Sequence, residues 1–275
     1  MPLSDLWQYL HQYEPFAAAA ASFRGGQPVS IDGAAGSSAA FAAVALGQSF
    51  FRDGHKTLLV AAATEESAER AAGDMEVFVE NTAGNNVRVF YFPPLATEEE
   101  AGTHAAAGSA GDGERLRILK HLLSGTGQPC VIAASMPALQ QHVPPPEILK
   151  KSTQILAVND RVDMTQFCRN LADNGFHAAA ATALPGEFAV RGYILDIFAP
   201  DWNLPVRIEF FDDTVESIRR FDPATQRSLE QVPEIDLTLL RSCSTAGASL
   251  LDYLPEDVPV VWLPESLPDG RGFSV

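Results

Sequence analysis

Cysteine is scarce in this chain. Only Cys130, Cys168 and Cys243 occur in 275 residues, with no CxxC or CxH spacing. Three widely separated thiols support neither a disulfide framework nor a zinc site, and they read as ordinary reduced thiols. Six scattered histidines add no HExxH-like cluster, so no metal and no cofactor is expected. No run reaches the roughly 18 apolar residues that a membrane helix needs. The opening MPLSDLWQYLHQYEP has neither a basic n-region nor an uninterrupted apolar stretch, so it is not read as a secretory signal, and a cytoplasmic location is expected. Positive charge is also sparse: 19 Lys and Arg face 35 Asp and Glu, a net charge of −16. Affinity for nucleic acid rests mainly on cations that neutralise phosphates. Autonomous nucleic-acid binding is therefore not expected, whereas a protein partner with basic patches fits the charge.

What is present is the composition of a soluble globular chain, 46% hydrophobic, of a length suited to about two domains. No internal repeat is found. Residues 3–23 have helical spacing through Leu3, Leu6, Trp7 and Leu10. Strands at Pro28–Asp32, Lys56–Ala63, Val87–Phe92 and Pro129–Ala134 then alternate with helices at Ser37–Phe51, Thr64–Glu80 and Glu114–Ser124. Strands that are apolar throughout and separated by helices predict a parallel sheet covered on both faces. The Gly-, Ala- and acid-rich segment 97–113 reads as a mobile surface loop. After Pro144-Pro145-Pro146 the pattern changes to a strand at Ser152–Val158 and a helix opened by the capping box Asp163-Met164-Thr165-Gln166 and ending at Gly175. Strands at Gly192–Phe198, Val206–Phe211, Val215–Phe221 and Ser228–Val232 follow. Asp212-Asp213 and Asp222-Pro223 read as turn chemistry between them. Near Leu239 the alternation resumes with a helix at Ala248–Tyr253 and a strand at Val258–Leu263. The expected organisation is an α/β, Rossmann-like parallel-sheet domain over 1–148, an inserted small α+β domain over 149–238, and a truncated return to the first domain over 239–275.

A phosphate loop belongs after the first strand of such a sheet. There the chain reads Asp32-Gly33-Ala34-Ala35-Gly36-Ser37-Ser38-Ala39-Ala40. Gly33 and Gly36 permit a tight strand-to-helix turn. A working P-loop ends in Gly-Lys-Ser/Thr, whose Lys reaches the phosphates and whose hydroxyl holds Mg²⁺. Those places fall on Ser38, Ala39 and Ala40, so the Lys and Ser/Thr places are held by Ala39 and Ala40, which offer neither group. By itself the stretch is also compatible with an ordinary strand–Gly–helix turn.

The second domain is more specific. It contains Gly186-Glu187-Phe188-Ala189-Val190-Arg191-Gly192, then Arg207-Ile208-Glu209-Phe210-Phe211-Asp212-Asp213, then Phe221-Asp222-Pro223-Ala224-Thr225-Gln226-Arg227-Ser228. In this order and spacing the run resembles the domain shared by UvrB-type excision-repair proteins and the transcription-repair coupling factor (Mfd) family. Ser249-Leu250-Leu251-Asp252-Tyr253-Leu254-Pro255 is similar to the segment before the Walker B strand in the same proteins. The resemblance implies a helicase-type first domain and docking of the repair protein UvrA through the second. Three departures place the chain with the coupling factors rather than with the UvrB ATPases. The P-loop is degenerate, and Val258–Ser266 has no Asp-Glu pair to hold Mg²⁺. Residues 93–115 contain no Phe, Tyr or Trp, so the base-stacking hairpin of UvrB has no counterpart. By the same resemblance this is a non-catalytic fragment, with RNA polymerase and DNA bound by parts of a longer protein.

Carried over from the family, the UvrA contacts fall on Arg191, Arg207 and Phe211. Strand alternation gives partial support, because Val206, Ile208 and Phe210 form one apolar row and Arg207, Glu209 and Phe211 the other. An aromatic on the charged side, next to Arg, is a common interface anchor. A second reading stays open, in which Phe211 covers a neighbouring loop and the arginines pair with Glu209 or Asp213. Arg219 and Arg220 fit an extended interface or a solvated strand face equally. Two other function classes are set against docking: a nucleotide hydrolase with an unorthodox phosphate loop and weak nucleotide binding, and a DNA-binding repair module.

Overall fold

The computed structural model describes residues 3–34, 36–81, 87–95, 110–125, 127–240, 247–263 and 273–274. The backbone divides into two compact units. One comprises Met1–Pro94, Ser124–Gln141 and Tyr253–Val275, and the other Leu95–Leu123 and His142–Asp252.

In the first unit the two most apolar runs become the central strands β2 (Thr57–Ala62) and β4 (Cys130–Ser135), buried at every position. They pair in parallel, Leu59 opposite Ile132. On either side β13 (Val260–Leu263) and β3 (Arg88–Phe92) extend the parallel block. The expected parallel sheet is present. One strand departs from expectation: β1 (Ser30–Ile31) pairs antiparallel with β14 (Phe273–Ser274) at the sheet edge, in the order β1-β14-β13-β2-β4-β3. Pro28 lacks a donor, and only Val29 and Ile31 are apolar there, which suits an edge better than a strand buried on both faces. Helices Ser37–Arg52 and Glu65–Asn81 contribute Ala43, Leu46, Ala68 and Met75 to a core shared with Leu58, Val60 and Val131. The single helix expected over 3–23 is two, Leu3–Gln12 and Glu14–Arg24. Pro15, which has no N–H to continue a helix, sits in the first turn of the second.

The second unit holds the consecutive strands. β5 (Thr153–Ala157) pairs with β12 (Glu234–Thr238). The larger sheet runs β11-β10-β9-β8-β7-β6, from β11 (Ser228–Gln231), β10 (Thr214–Phe221), β9 (Val206–Phe211) and β8 (Ile194–Phe198) to β7 (Glu187–Arg191) and β6 (His177–Ala178). The strand expected to begin at Gly192 begins at Ile194 instead. Gly192, at φ +62°, is the first of two turn residues between the paired Arg191 and Ile194. A two-residue hairpin of this kind needs glycine at that position. Helix Met164–Asp173 lays Phe167 and Leu171 against Leu195, Ile197 and Ile208. Asp163 caps it by accepting the Gln166 N–H at 2.9 Å, but the Gln166 side chain bonds Asn170 at 3.0 Å. Only half of the expected capping box forms. The expected helix over Ala248–Tyr253 is a single 3₁₀ turn at Leu250–Tyr253.

Helix Ala110–Ser124 starts before the expected Glu114, so the end of the segment read as a loop is helical. Residues 97–109 of that segment lie outside the described residues. All but the last residue of this helix group with the second unit. There the Lys120 ammonium bridges Asp201 at 2.5 Å and Asp236 at 2.9 Å. Burial pushes the Asp201 carboxyl up, against the opposing pull of Lys120. Among the described residues, no helix is long and apolar enough to cross a membrane.

Gly113 marks a close approach of this helix to the main chain at Pro200. A Cβ added there would lie 2.0 Å from the Pro200 carbonyl oxygen. Alanine normally stabilises a helix by up to ~1 kcal/mol over glycine. Here the obstacle is main chain, so G113A should instead lower stability by about 1–3 kcal/mol. Urea unfolding checks this, and a variant as stable as the parent would rule out the close packing.

Candidate protein-docking surface

Alternation sorts β9 into two rows, as its sequence requires. Val206, Ile208 and Phe210 are buried with Leu195, Ile197 and Phe188 in the core of the second unit. Arg207, Glu209 and Phe211 take the outer row. Phe211 is 75% exposed, which leaves little of its ring to cover a neighbouring loop.

Arg207 is held quite differently. Its Nε and Nη2 donate to the two carboxylate oxygens of Asp196 at 2.7 and 2.9 Å. Asp196 is 1% exposed and the Arg207 side chain 17%. The guanidinium carbon also stands 4.7 Å from the ring centroid of Phe221, in cation–π range. Register produces this stack: Asp196 on β8 lies opposite Arg207, Arg207 lies opposite Arg219 on β10, and Phe221 is two residues further along. The hydrogen bonds that Arg207 donates to Asp196 raise its pKa above the ordinary value. Two loops close over the pair. The Thr182 hydroxyl donates to the Asp196 carbonyl at 3.3 Å, Arg207 Nη1 to the Gln226 carbonyl at 3.4 Å, and the Gln226 amide to the Thr182 carbonyl at 3.1 Å. Asp222 holds the second loop by accepting the N–H groups of Thr225 and Ala224, which lowers its own pKa. Its part is turn chemistry.

The pairing of arginines with Glu209 or Asp213, left open by the sequence, is resolved by these contacts. Glu209 accepts from Ser217 at 2.6 Å and pairs with Arg219 at 3.2 Å, and Arg220 pairs with Glu230 at 2.5 Å. Arg207 takes Asp196, a residue that sequence reasoning passed over. The signal was available: a lone Asp in the apolar strand Ile194–Phe198 must find a cation if it is buried.

Arg191 ends β7 and is exposed, with Nη2 donating to the Ala180 carbonyl at 3.3 Å. Arg191, Ile194 and Glu209 form one row across β7, β8 and β9, and Phe211 lies two residues beyond Glu209. Arg191 and Phe211 thus share a corner of the sheet, and Arg207 stands further along β9, under the two loops. Tyr193, also unnoticed in the sequence, belongs to this corner. It is 67% exposed, and its carbonyl accepts the Phe210 N–H at 2.8 Å.

In the first unit Gly33 and Gly36 adopt positive φ, +83° and +55°. Gly36 precedes helix Ser37–Arg52 and gives it no side-chain cap. Ser37 and Ser38 are exposed, while the methyl groups of Ala39 and Ala40 are buried. Ala39 and Ala40 thus serve core packing. Glu265 and Ser266, read with the Walker B-like strand, lie outside the described residues.

Comparison with known proteins places this geometry in context. Residues 155–239 match the model of a family described as the UvrB interaction domain. A transcription-repair-coupling factor of Myxococcus xanthus is 33% identical over 230 residues, covering 82% of this chain and 18% of that protein. The transcription-repair-coupling factor of Bacillus subtilis (strain 168) is 33% identical over 124 residues, 45% of this chain and 10% of its own length. One from Staphylococcus aureus (strain USA300) is 36% identical over 125 residues, 46% of this chain and 10% of its own. The chain therefore spans less than a fifth of the curated relatives it matches.

The contrast between Arg207 and Phe211 has a measurable consequence. Arg207→Ala leaves Asp196 buried without a cation and should cost about 3–5 kcal/mol of stability. Phe211→Ala removes an exposed ring and should change stability by no more than about 0.5 kcal/mol. Denaturant unfolding of the two variants side by side checks this. An Arg207→Ala midpoint equal to that of the parent would mean that the pair does not hold the sheet.

Proposed function

We propose that this chain, whose residues 155–239 match the UvrB interaction domain and whose sequence is similar to transcription-repair-coupling factors, is the UvrA-recruiting, non-catalytic part of such a factor. The observation that carries this reading is Phe211, 75% exposed at the same corner of the sheet as Arg191, on the face opposite the buried row Val206, Ile208 and Phe210. An exposed aromatic on a strand, with an arginine at the same corner, offers a partner a ring to desolvate and a guanidinium to pair. Arg207 belongs to the same surface but acts on it through Asp196 and Phe221, because its donors are already engaged. RNA polymerase and DNA are assigned to other parts of a longer protein, where UvrA brought by this domain would meet a stalled polymerase.

The first unit is read as a disarmed helicase-type, Rossmann-like domain. Its parallel strands and the Gly36-to-helix turn favour that ancestry. Buried Ala39 and Ala40 in the P-loop places remove the groups that would hold a triphosphate and its Mg²⁺. A net charge of −16 further opposes a polyphosphate. Calorimetric titration with Mg-ATP should show no binding and no hydrolysis. Micromolar affinity would overturn the disarmed reading and favour the nucleotide-binding alternative.

Docking is tested by titrating purified UvrA against the intact chain and its variants, without DNA or nucleotide. Arg191→Ala and Phe211→Ala should each weaken binding by roughly 30-fold, the effect of losing a central anchor worth about 2 kcal/mol. Arg207→Ala should also weaken it, and is interpreted only beside its melting curve. Glu66→Ala, on an exposed helix face of the first unit, should bind as the parent does. Folded Arg191→Ala and Phe211→Ala proteins that match this control would place the docking face elsewhere.

A further inference from the structure

We infer that Tyr193 is a second aromatic anchor of the docking corner, so that the UvrA-type partner receives two rings there. The inference rests on the docking reading and extends it to a residue that the family resemblance did not supply. Among the described residues of the second unit, no aromatic side chain other than Phe211 and Tyr193 is so exposed, at 75% and 67%. Both stand at the same end of the sheet, each beside a two-residue turn: Gly192-Tyr193 joins β7 to β8, and Asp212-Asp213 joins β9 to β10. The Phe210 N–H donates to the Tyr193 carbonyl at 2.8 Å, which ties the tip of the first hairpin to the strand end that carries Phe211.

Tyr193 contributes little to the fold where it stands. A hairpin tip could carry Asn, Asp or Ser in that place without loss of turn geometry. A tyrosine there exposes a large apolar ring to water and contributes nothing to the core shared by Leu195, Ile197 and Ile208. A tyrosine has few rotatable bonds to freeze on binding, and its phenol brings apolar area together with a hydrogen-bonding group. The partner surface that suits this corner is an apolar cleft for two rings with a carboxylate near Arg191. Asp212 and Asp213, which follow Phe211, favour cationic groups on the partner at the edge of that cleft.

The test uses the intact chain and purified UvrA, with Tyr193→Ala, Tyr193→Phe, Tyr193→Lys and Phe211→Ala. Tyr193→Ala and Tyr193→Lys should each lose about tenfold or more in affinity, while Tyr193→Phe stays within about threefold because the ring is the anchor. All three should melt with the parent, as an exposed turn side chain requires. If Tyr193→Ala and Tyr193→Lys bind like the parent while Phe211→Ala is weakened, Tyr193 is no anchor and docking through Phe211 stands. If Tyr193→Ala and Phe211→Ala both bind like the parent, the docking reading itself falls. Affinity lost only in step with a lowered melting temperature would make Tyr193 a packing residue and overturn the inference.

Discussion

The outer face of the second unit depends on one buried ion pair. A carboxylate taken out of water costs several kcal/mol unless a cation and further donors meet it at close range. Asp196 is met by both forks of Arg207, and that planar pairing fixes the guanidinium flat enough to stack on Phe221. The same guanidinium holds Gln226, Gln226 holds Thr182, and Thr182 returns to Asp196. Two loops without regular structure are thereby fastened over the middle of the sheet. The corner left uncovered is where Arg191, Tyr193 and Phe211 stand.

Two side chains of one strand row can therefore do opposite things. Arg207 and Phe211 share a face of β9 and are four residues apart, yet one is clamped beneath loops and the other projects into water. Rigid support from the first makes the second usable, because an anchor that is already positioned loses less entropy when it is buried by a partner. A comparable charge cluster, Lys120 between Asp201 and Asp236, fastens helix Ala110–Ser124 to the strand-rich part of the same unit.

Much of this was legible along the chain. The parallel strands β2 and β4 followed from uninterrupted apolar runs, since only a strand covered on both faces can dispense with alternation. The strict alternation of Val206, Ile208 and Phe210 with Arg207, Glu209 and Phe211 set both faces of β9. Local turn and capping signals were less reliable. Gly192 adjoins an apolar run that suits a strand, yet its positive φ makes it a turn, and Gln166 turns away from its box to bond Asn170. The helix restart at Pro15 could have been foreseen from the missing N–H. The antiparallel pairing of β1 could not, because nothing near Ser30 specifies a partner more than two hundred residues away.

The sequence by itself determined which face each residue of β9 takes and that Ala39 and Ala40 offer neither an ammonium nor a hydroxyl. These are matters of period and of side-chain chemistry, carried by neighbouring residues. Only the tertiary structure decided that Arg207 belongs to Asp196, that Gly113 lies against Pro200, and that Tyr193 and Phe211 stand at one corner. Each of these joins segments distant in the chain whose approach is set by register, loop closure and packing. Period assigns a side chain to a face, but depth on that face depends on what the rest of the fold lays over it.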